Sequence, residues 1–147
     1  LVAGTAGVLC EGLHPGDVVL GEATVEWRTG SPRPKRLRRF ANDLWRTHSL
    51  STKLSADLRC FQGGIASVDQ NVIQPEQALT IHEQTGALAV AWEGAGAAKA
   101  CQRHKCPFAE VRVITDHCNP ASAEDFKTNL SMAMGRLAHV LWHIFND

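Results

Sequence analysis

The chain has 147 residues, 44% of them hydrophobic, which is enough for one domain with its own core over residues 1–147. The 15 acidic and 15 basic residues balance, so the charge favours neither a nucleic acid nor an anionic membrane as partner. The apolar runs are too short to span a bilayer, and 5 scattered cysteines do not resemble a secreted disulfide scaffold. We therefore expect a soluble, cytoplasmic protein with reduced thiols.

The first residues predict the end of a buried strand. Leu1 to Ala3 are apolar and run into Gly4-Thr5-Ala6-Gly7, a small-residue segment that we interpret as a turn open to a ligand. Domains seldom begin in mid-strand, so we expect further residues upstream of Leu1. A second strand, rich in β-branched residues, is predicted from Asp17 to Trp27 after the turn His14-Pro15-Gly16.

The middle of the chain is more polar. A proline-containing loop at Ser31-Pro32-Arg33-Pro34 precedes a basic cluster from Lys35 to Arg39, and a helix is predicted near Leu37 to Arg46. The cluster is typical of a solvated surface, with phosphate binding as the alternative. Cys60 to Asp69 predicts a strand with a bulge or close backbone approach at Gly63-Gly64.

A short helix is then predicted from Gln74-Pro75-Glu76 to about Gln84. The run from Ala87 to Trp92 is continuously apolar, which is typical of a strand buried on both faces, and it ends at Glu93. The alanine-rich segment from Gly94 to Lys105 predicts a helix packed closely on the sheet.

Another buried strand is predicted from Phe108 to Thr115, and it too ends at a carboxylate, Asp116. A long amphipathic helix follows from Ser122, with Asp125 in a capping-box-like position. Its apolar residues recur at helical spacing: Phe126, Leu130, Ala133, Leu137, Leu141 and Ile144.

Strands that alternate with helices predict an α/β fold with a mainly parallel sheet and helices on both faces. Ligands of such sheets lie at the carboxyl ends of the strands, so the segment from Gly4 to Gly7, Glu93 and Asp116 are candidate site residues. Cys101, His104 and Cys106 lack the fourth ligand of a structural zinc site. We expect no metal and no cofactor.

Four motifs occur in one order across nearly the whole chain. The segment from Gly4 to Gly7 with Gly16-Asp17-Val18-Val19 resembles the glycine turn and "G-D-V-V" strand of the nucleoside phosphorylase and nucleosidase superfamily. Gly64 to Asp69 is similar to its "G-x-I-x-S-G-D", Ala89 to Gly96 to its "A-V-E-M-E-G/A-A", and Val111 to Asp116 to its "V-R-x-I-S-D". The residues of these four motifs are most similar to those of the methylthioadenosine/S-adenosylhomocysteine nucleosidases.

The resemblance implies a three-layer α/β sandwich, of which residues 1–147 form the C-terminal portion without the N-terminal strands. It also implies cleavage of the glycosidic bond of a purine nucleoside. Without the upstream strands we expect an unpaired apolar edge near Leu1 to Gly4, which a second chain would cover in a homo-oligomer, a dimer. Glu93 would hold the ribose hydroxyls, and Asp116, with a pKa raised by burial, would protonate N7 of the base. The other implied substrate-binding residues are Thr5, Ala6, Gly7, Asn71, Val72, Val90, Ala91 and Trp92.

The nucleophile and the activity itself stay open at this point. Phosphorylases of the superfamily often carry an arginine just before the glycine turn, where this chain has Leu1-Val2-Ala3, which favours water; Thr5, Arg28 or the basic cluster could still bind phosphate. Ala91, Val68, Asn71 and Trp92 depart from the nucleosidase pattern. A purine nucleoside phosphorylase and a non-catalytic nucleoside-binding homologue are therefore the alternatives to a hydrolase.

Overall fold

The computed structural model describes residues 1–28, 37–43, 54 and 58–146. Six strands are present in these ranges: β1 (Val2–Val8), β2 (Val18–Glu26), β3 (Arg38–Ala41), β4 (Cys60–Ser67), β5 (Ala87–Ala91) and β6 (Glu110–Asp116). Three helices accompany them: α1 (Pro75–Thr85), α2 (Gly94–His104) and α3 (Ser122–Asn146). None of the helices in these ranges is long and apolar enough to cross a membrane.

The strands form one mixed sheet, so the prediction of a mainly parallel sheet is confirmed only in part. The pairs β1–β6, β2–β4 and β4–β5 are parallel, whereas β1–β5, β2–β3 and β2–β6 are antiparallel. Hydrophobic periodicity reports burial but not strand direction, and antiparallel neighbours need no helical crossover. The α/β class was predicted correctly, and strands upstream of Leu1 stay a prediction.

The sheet closes on itself. Its strand order is β3-β2-β4-β5-β1-β6, and β2 also pairs with β6, so that β2, β4, β5, β1 and β6 form a ring. One apolar cluster, which includes Ala6, Val19, Ile65, Ala89 and Ile114, contains a side chain from every strand of the ring and fills its interior. The helices pack outside the ring, in three further clusters.

Helix α3 covers the outer face of β2 and β6. Val18 and Leu20 of β2 and Val111 and Val113 of β6 pack against Ala133, Leu137, Val140 and Ile144. Burial of these side chains is the main stabilising contribution of the helix, because its other face is solvated. The predicted core positions toward the C-terminal end of α3 are thus confirmed, while Phe126 and Leu130 have a different environment, described below.

Two local predictions were wrong for identifiable reasons. The helix predicted near residues 37–46 is strand β3 at Arg38–Ala41, which pairs antiparallel with Ala23 to Glu26; residues 44–46 lie outside the described ranges. The segment from Gly4 to Gly7 is not a turn but part of β1, which continues to Val8. Tertiary pairing overrides the helix propensity of the basic residues in the first case and the turn preference of glycine in the second.

The glycine pair of β4 behaves as predicted. The parallel pairing of β4 with β5 shifts register between Gly64 and Ile65. A side chain at Gly63 would collide with Leu88 of β5. The absence of side chains at this pair therefore permits the close approach of the two strands that carry the candidate site toward their carboxyl ends.

Candidate active site

A cleft of about 820 Å³ opens at the carboxyl ends of β4, β5 and β6, along β1 and beneath the first half of α3. All ten residues predicted to form the site line it: Thr5, Ala6, Gly7, Asn71, Val72, Val90, Ala91, Trp92, Glu93 and Asp116. The fold thus brings together residues that are more than 100 positions apart in the sequence.

Glu93 lies two residues after the end of β5 and is the N-cap residue of α2. Its side chain is 62% exposed, and Oε2 accepts a hydrogen bond of 2.8 Å from Nη2 of Arg112. Partial burial works against ionisation, but hydrogen bonds from its own backbone N–H and from Arg112, together with the guanidinium charge, outweigh it and lower the pKa of Glu93. The carboxylate is therefore ionised at neutral pH and can accept hydrogen bonds from hydroxyl groups in the cleft.

Arg112 was not among the predicted site residues. It is buried within β6, where its Nε donates to Oε1 of Glu110 over 2.8 Å and its Nη1 donates to the carbonyl oxygen of Thr5 over 3.3 Å. A guanidinium in the middle of an apolar strand must be paired, because an isolated buried charge is very costly. An arginine between two valines of a buried strand is therefore the sequence signal that could have identified this residue. Its partners are the carboxylates of Glu110 and Glu93.

Asp116 ends β6 and is half-buried at the wall of the cleft. Its Oδ1 accepts a hydrogen bond of 3.1 Å from the backbone N–H of Cys118, and its Oδ2 accepts one of 3.2 Å from the hydroxyl of Thr115. Burial raises the pKa of the Cys118 thiol to about 12, and the Asp116 carboxylate adds to the rise, so this thiol stays neutral. The two hydrogen bonds fix the orientation of the carboxyl group.

Gly7 makes room for these groups. A Cβ atom at this position would lie 3.0 Å from Oδ1 of Asp116 and would collide with the sulfur of Cys118. The pairing of β1 with β6 also shifts register here, so that Gly7 pairs with Asp116 after Ala6 has paired with Ile114. The glycine is required by close approach, and not by the turn that the sequence suggested.

Part of the cleft lining is apolar. Val68, Val72 and Val90 contribute buried side chains, whereas Asn71 and Trp92 are exposed at the rim. The indole Nε1 of Trp92 donates to the carbonyl oxygen of Gln70 over 3.2 Å, which orients the ring at the cleft. A wall of this kind suits the flat faces of an aromatic ligand.

Helix α3 supplies a further wall that was not among the predicted site residues. Phe126, Leu130 and Met134 line the cleft at intervals of four residues, and Phe126 and Met134 are exposed. Lys127 stands beside them and is exposed. Helical spacing identified the apolar stripe correctly, but it could not reveal that its first turns face a cleft.

Of the other cations considered for phosphate binding, the described ones, Arg28, Arg38 and Arg39, are not part of the cleft lining. Arg28 pairs with Glu26, and Arg39 donates to the carbonyl oxygen of Thr85. Arg33, Lys35 and Arg36 lie outside the described residues. Within the described ranges no three His, Cys, Asp or Glu side chains form a group that could hold a metal ion.

The chain is similar to several nucleosidases of known structure or sequence. A curated 5′-methylthioadenosine/S-adenosylhomocysteine nucleosidase from Thermotoga maritima is 32% identical over 130 residues, covering 87% of this chain and 58% of that protein. The crystal structure of the nucleosidase of that name from Neisseria meningitidis, in complex with methylthio-immucillin-A, is 27% identical with a TM-score of 0.82. It covers 96% of this chain and 66% of the other.

Futalosine hydrolase of Helicobacter pylori, at 22% identity and a TM-score of 0.86, shares the fold; the comparison covers 97% of this chain and 65% of that one. The chain therefore spans less than two thirds of the length of these relatives. The family model of the phosphorylase superfamily matches residues 1–146. The chain belongs to the phosphorylase superfamily.

Proposed function

We propose that the chain takes part in hydrolysis of the N-glycosidic bond of a purine nucleoside with a 5′-thioether, releasing the free base. The observation that carries the proposal is that Glu93 and Asp116, which end neighbouring buried segments of the sequence, line the same cleft. The nucleosidase relatives from Thermotoga maritima and Neisseria meningitidis support the same substrate class.

The two carboxyl groups have complementary tasks in this reaction. Water adds to C1′ of the ribose and loses a proton to solvent, while the bond from C1′ to the purine nitrogen breaks and its electron pair goes to the base. Asp116 donates a proton to N7, which neutralises the charge that develops on the leaving purine. Glu93, ionised, accepts hydrogen bonds from the ribose hydroxyls and favours the positive charge that develops on the sugar.

The walls of the cleft suit the remaining parts of such a substrate. The purine fits the apolar wall of Val68, Val72 and Val90, and the thioether at the 5′ position is apolar enough to contact Phe126 and Met134. A cleft of about 820 Å³ is within the range of small-molecule sites and accommodates a nucleoside.

Charge favours water over phosphate as the nucleophile. Arg112 approaches the ribose side of the cleft next to Gly4 and Thr5, but its single positive charge already faces the carboxylates of Glu93 and Glu110. A phosphate placed there would meet two negative charges and one positive charge. Neutral water has no such electrostatic penalty.

The test is release of adenine from 5′-methylthioadenosine by the purified chain, followed by chromatography with and without phosphate. Hydrolysis predicts adenine and free methylthioribose in both conditions, with activity lost in Glu93→Gln and kept in Glu76→Gln, an exposed carboxylate of α1 away from the cleft. Activity that requires phosphate and yields a sugar phosphate would support the phosphorylase alternative. Absence of adenine in both conditions, with tight binding of methylthio-immucillin-A, would support the non-catalytic alternative.

A further inference from the structure

Glu110, the first residue of β6, carries a fully buried carboxylate that does not line the cleft. A buried carboxylate is costly unless charge and hydrogen bonds compensate it. The reaction proposed above gives this side chain no contact with the substrate. Its contacts therefore indicate what it does.

Three groups surround the Glu110 carboxylate. The hydroxyl of Thr24 in β2 donates to Oε2. Nε of Arg112 donates to Oε1 over 2.8 Å, and Nη2 of Arg112 lies 2.8 Å from the same oxygen. Glu110 and Arg112 are two positions apart on one strand, so their side chains leave it on the same face.

The start of α2 is shaped around the same carboxylate. A Cβ atom at Gly94 would lie 2.7 Å from Oε1 of Glu110 and closer still to Oε2, so that only glycine leaves room. The partial positive charge at the N-terminus of this 11-residue helix also faces the carboxylate. Glu93 is the N-cap residue of this same helix, so both glutamates lie at one helix terminus.

Arg112 connects the two carboxylates. Its Nη2 donates to Oε2 of Glu93 over 2.8 Å while its Nε is held by Glu110. An arginine side chain has many rotamers, and the planar guanidinium aligns with Glu93 only when its other edge is fixed. Glu110 sets this alignment, because it holds the guanidinium from the interior side.

We propose that Glu110 is a positioning residue: through Arg112 it fixes Glu93 in the orientation that binds the ribose. This inference rests on the proposed function for the identity of the ribose. The link among the three side chains is independent of it. Glu110 acts on Glu93 and has no contact with the reacting atoms.

Two substitutions separate positioning from a merely structural role. Glu110→Gln keeps an oxygen for Nε of Arg112, and its amide can donate to the Thr24 hydroxyl, so the geometry is retained and one negative charge is lost. Glu110→Ala removes the acceptor altogether. The matched control is Glu26→Gln, a largely buried carboxylate of β2 paired with Lys99 and Arg28 outside the cleft lining.

The first measurement is the titration of the Glu93 carboxyl group by carbon-13 NMR, with the resonance assigned from Glu93→Gln. The charged groups that face Glu93 are Arg112 and, behind it, Glu110; Asp116 and Lys127 line the same cleft. In Glu110→Gln one like charge is removed and Arg112 has one anion fewer to neutralise. The Glu93 titration midpoint should therefore move to lower pH, and it should not move in Glu26→Gln.

The second measurement is the steady-state kinetics of adenine release. Glu110→Ala should raise KM for 5′-methylthioadenosine about tenfold with a much smaller change in kcat, because a ribose contact acts in the ground state and the transition state alike. Glu110→Gln should restore KM to within about threefold of the unaltered protein. A structural role alone would lower the unfolding temperature of both variants and leave KM unchanged.

An unchanged Glu93 midpoint in Glu110→Gln would overturn the inference, and so would an unchanged KM in a folded Glu110→Ala protein. If Glu110→Ala does not fold, the titration in Glu110→Gln decides alone. If the unaltered chain releases no adenine, the proposed function fails. The titration needs no substrate and still decides whether Glu110 controls Glu93.

Discussion

Substitution of Asp116 by asparagine tests the assignment of the acid most directly. In the structure Oδ1 of Asp116 accepts from the backbone N–H of Cys118, and an asparagine oxygen can accept the same bond. Oδ2 accepts from the Thr115 hydroxyl, which can rotate to accept from the new amide instead. The shape of the cleft and its ground-state contacts should therefore be almost unchanged.

The loss should fall on the chemical step. The amide has no acidic proton to give to N7, and a general acid contributes about 10²- to 10⁴-fold to the rate, or roughly 3 to 5 kcal/mol of the barrier. We expect kcat of Asp116→Asn to fall by this factor while KM changes by less than about threefold. Glu93→Gln should differ, because loss of the ribose contact raises KM as well.

The assay is adenine release from 5′-methylthioadenosine over a range of pH, with single-turnover measurements to separate chemistry from product release. Asp116→Asn should release adenine more slowly than the unaltered protein at every pH measured. Near-normal kcat in Asp116→Asn would refute the assignment. His117, the next residue, would then be the candidate acid.

Three further predictions concern the surroundings of the site. Gly7→Ala should destabilise the fold by about 1–3 kcal/mol, because its Cβ would collide with Cys118. Gly96→Ala, whose Cβ would have nothing within 4 Å, should be neutral or stabilising, and thermal unfolding measures both. Cys118 should resist iodoacetamide at pH 8, since its pKa of about 12 keeps it protonated, while exposed Cys106 reacts; equal labelling by mass spectrometry would contradict the burial. Lys127→Met should lower kcat/KM about two- to fivefold for S-adenosylhomocysteine, because this substrate carries a carboxylate that Lys127 can contact. The kcat/KM for 5′-methylthioadenosine should be unchanged, and equal effects on both substrates would contradict a charge contact.

The sequence predicted element types better than their arrangement. Continuous apolar runs identified β5 and β6, and the position of Pro75 together with Gly86 located α1 within one residue. Strand direction and closure of the ring depend on contacts between distant segments, on which local patterns carry no information. Strand β3 was missed because Arg38 and Arg39 favour a helix locally, while pairing with β2 determines the outcome.

Glu93 and Asp116 were predicted from strand ends, because a carboxylate directly after an apolar run is visible in the sequence. Asn71, Val72, Val90, Ala91 and Trp92 were implied by the family resemblance. Phe126 and Met134 were not assigned to the site, because a side chain on the apolar stripe of a helix looks the same whether it faces a core or a cleft. Only the position of α3, whose first turns line the cleft while its later turns pack on β2 and β6, distinguishes a core face from a cleft face.

The alternation of residues along β6 could have predicted the pairing of Arg112 with Glu110. Its sequence from Glu110 to Asp116 alternates, with Glu110, Arg112, Ile114 and Asp116 on one face and valines on the other. The valines pack under α3, as an apolar face requires, so the charged residues must all point into the ring. Charges on the inner face of a strand are tolerable only as a compensated set, and here Arg112 stands between Glu110 and Glu93. Asp116 reaches the cleft wall on the same strand, beyond the register shift between Ala6 and Gly7, so β6 carries both the ion-pair network and the proposed acid.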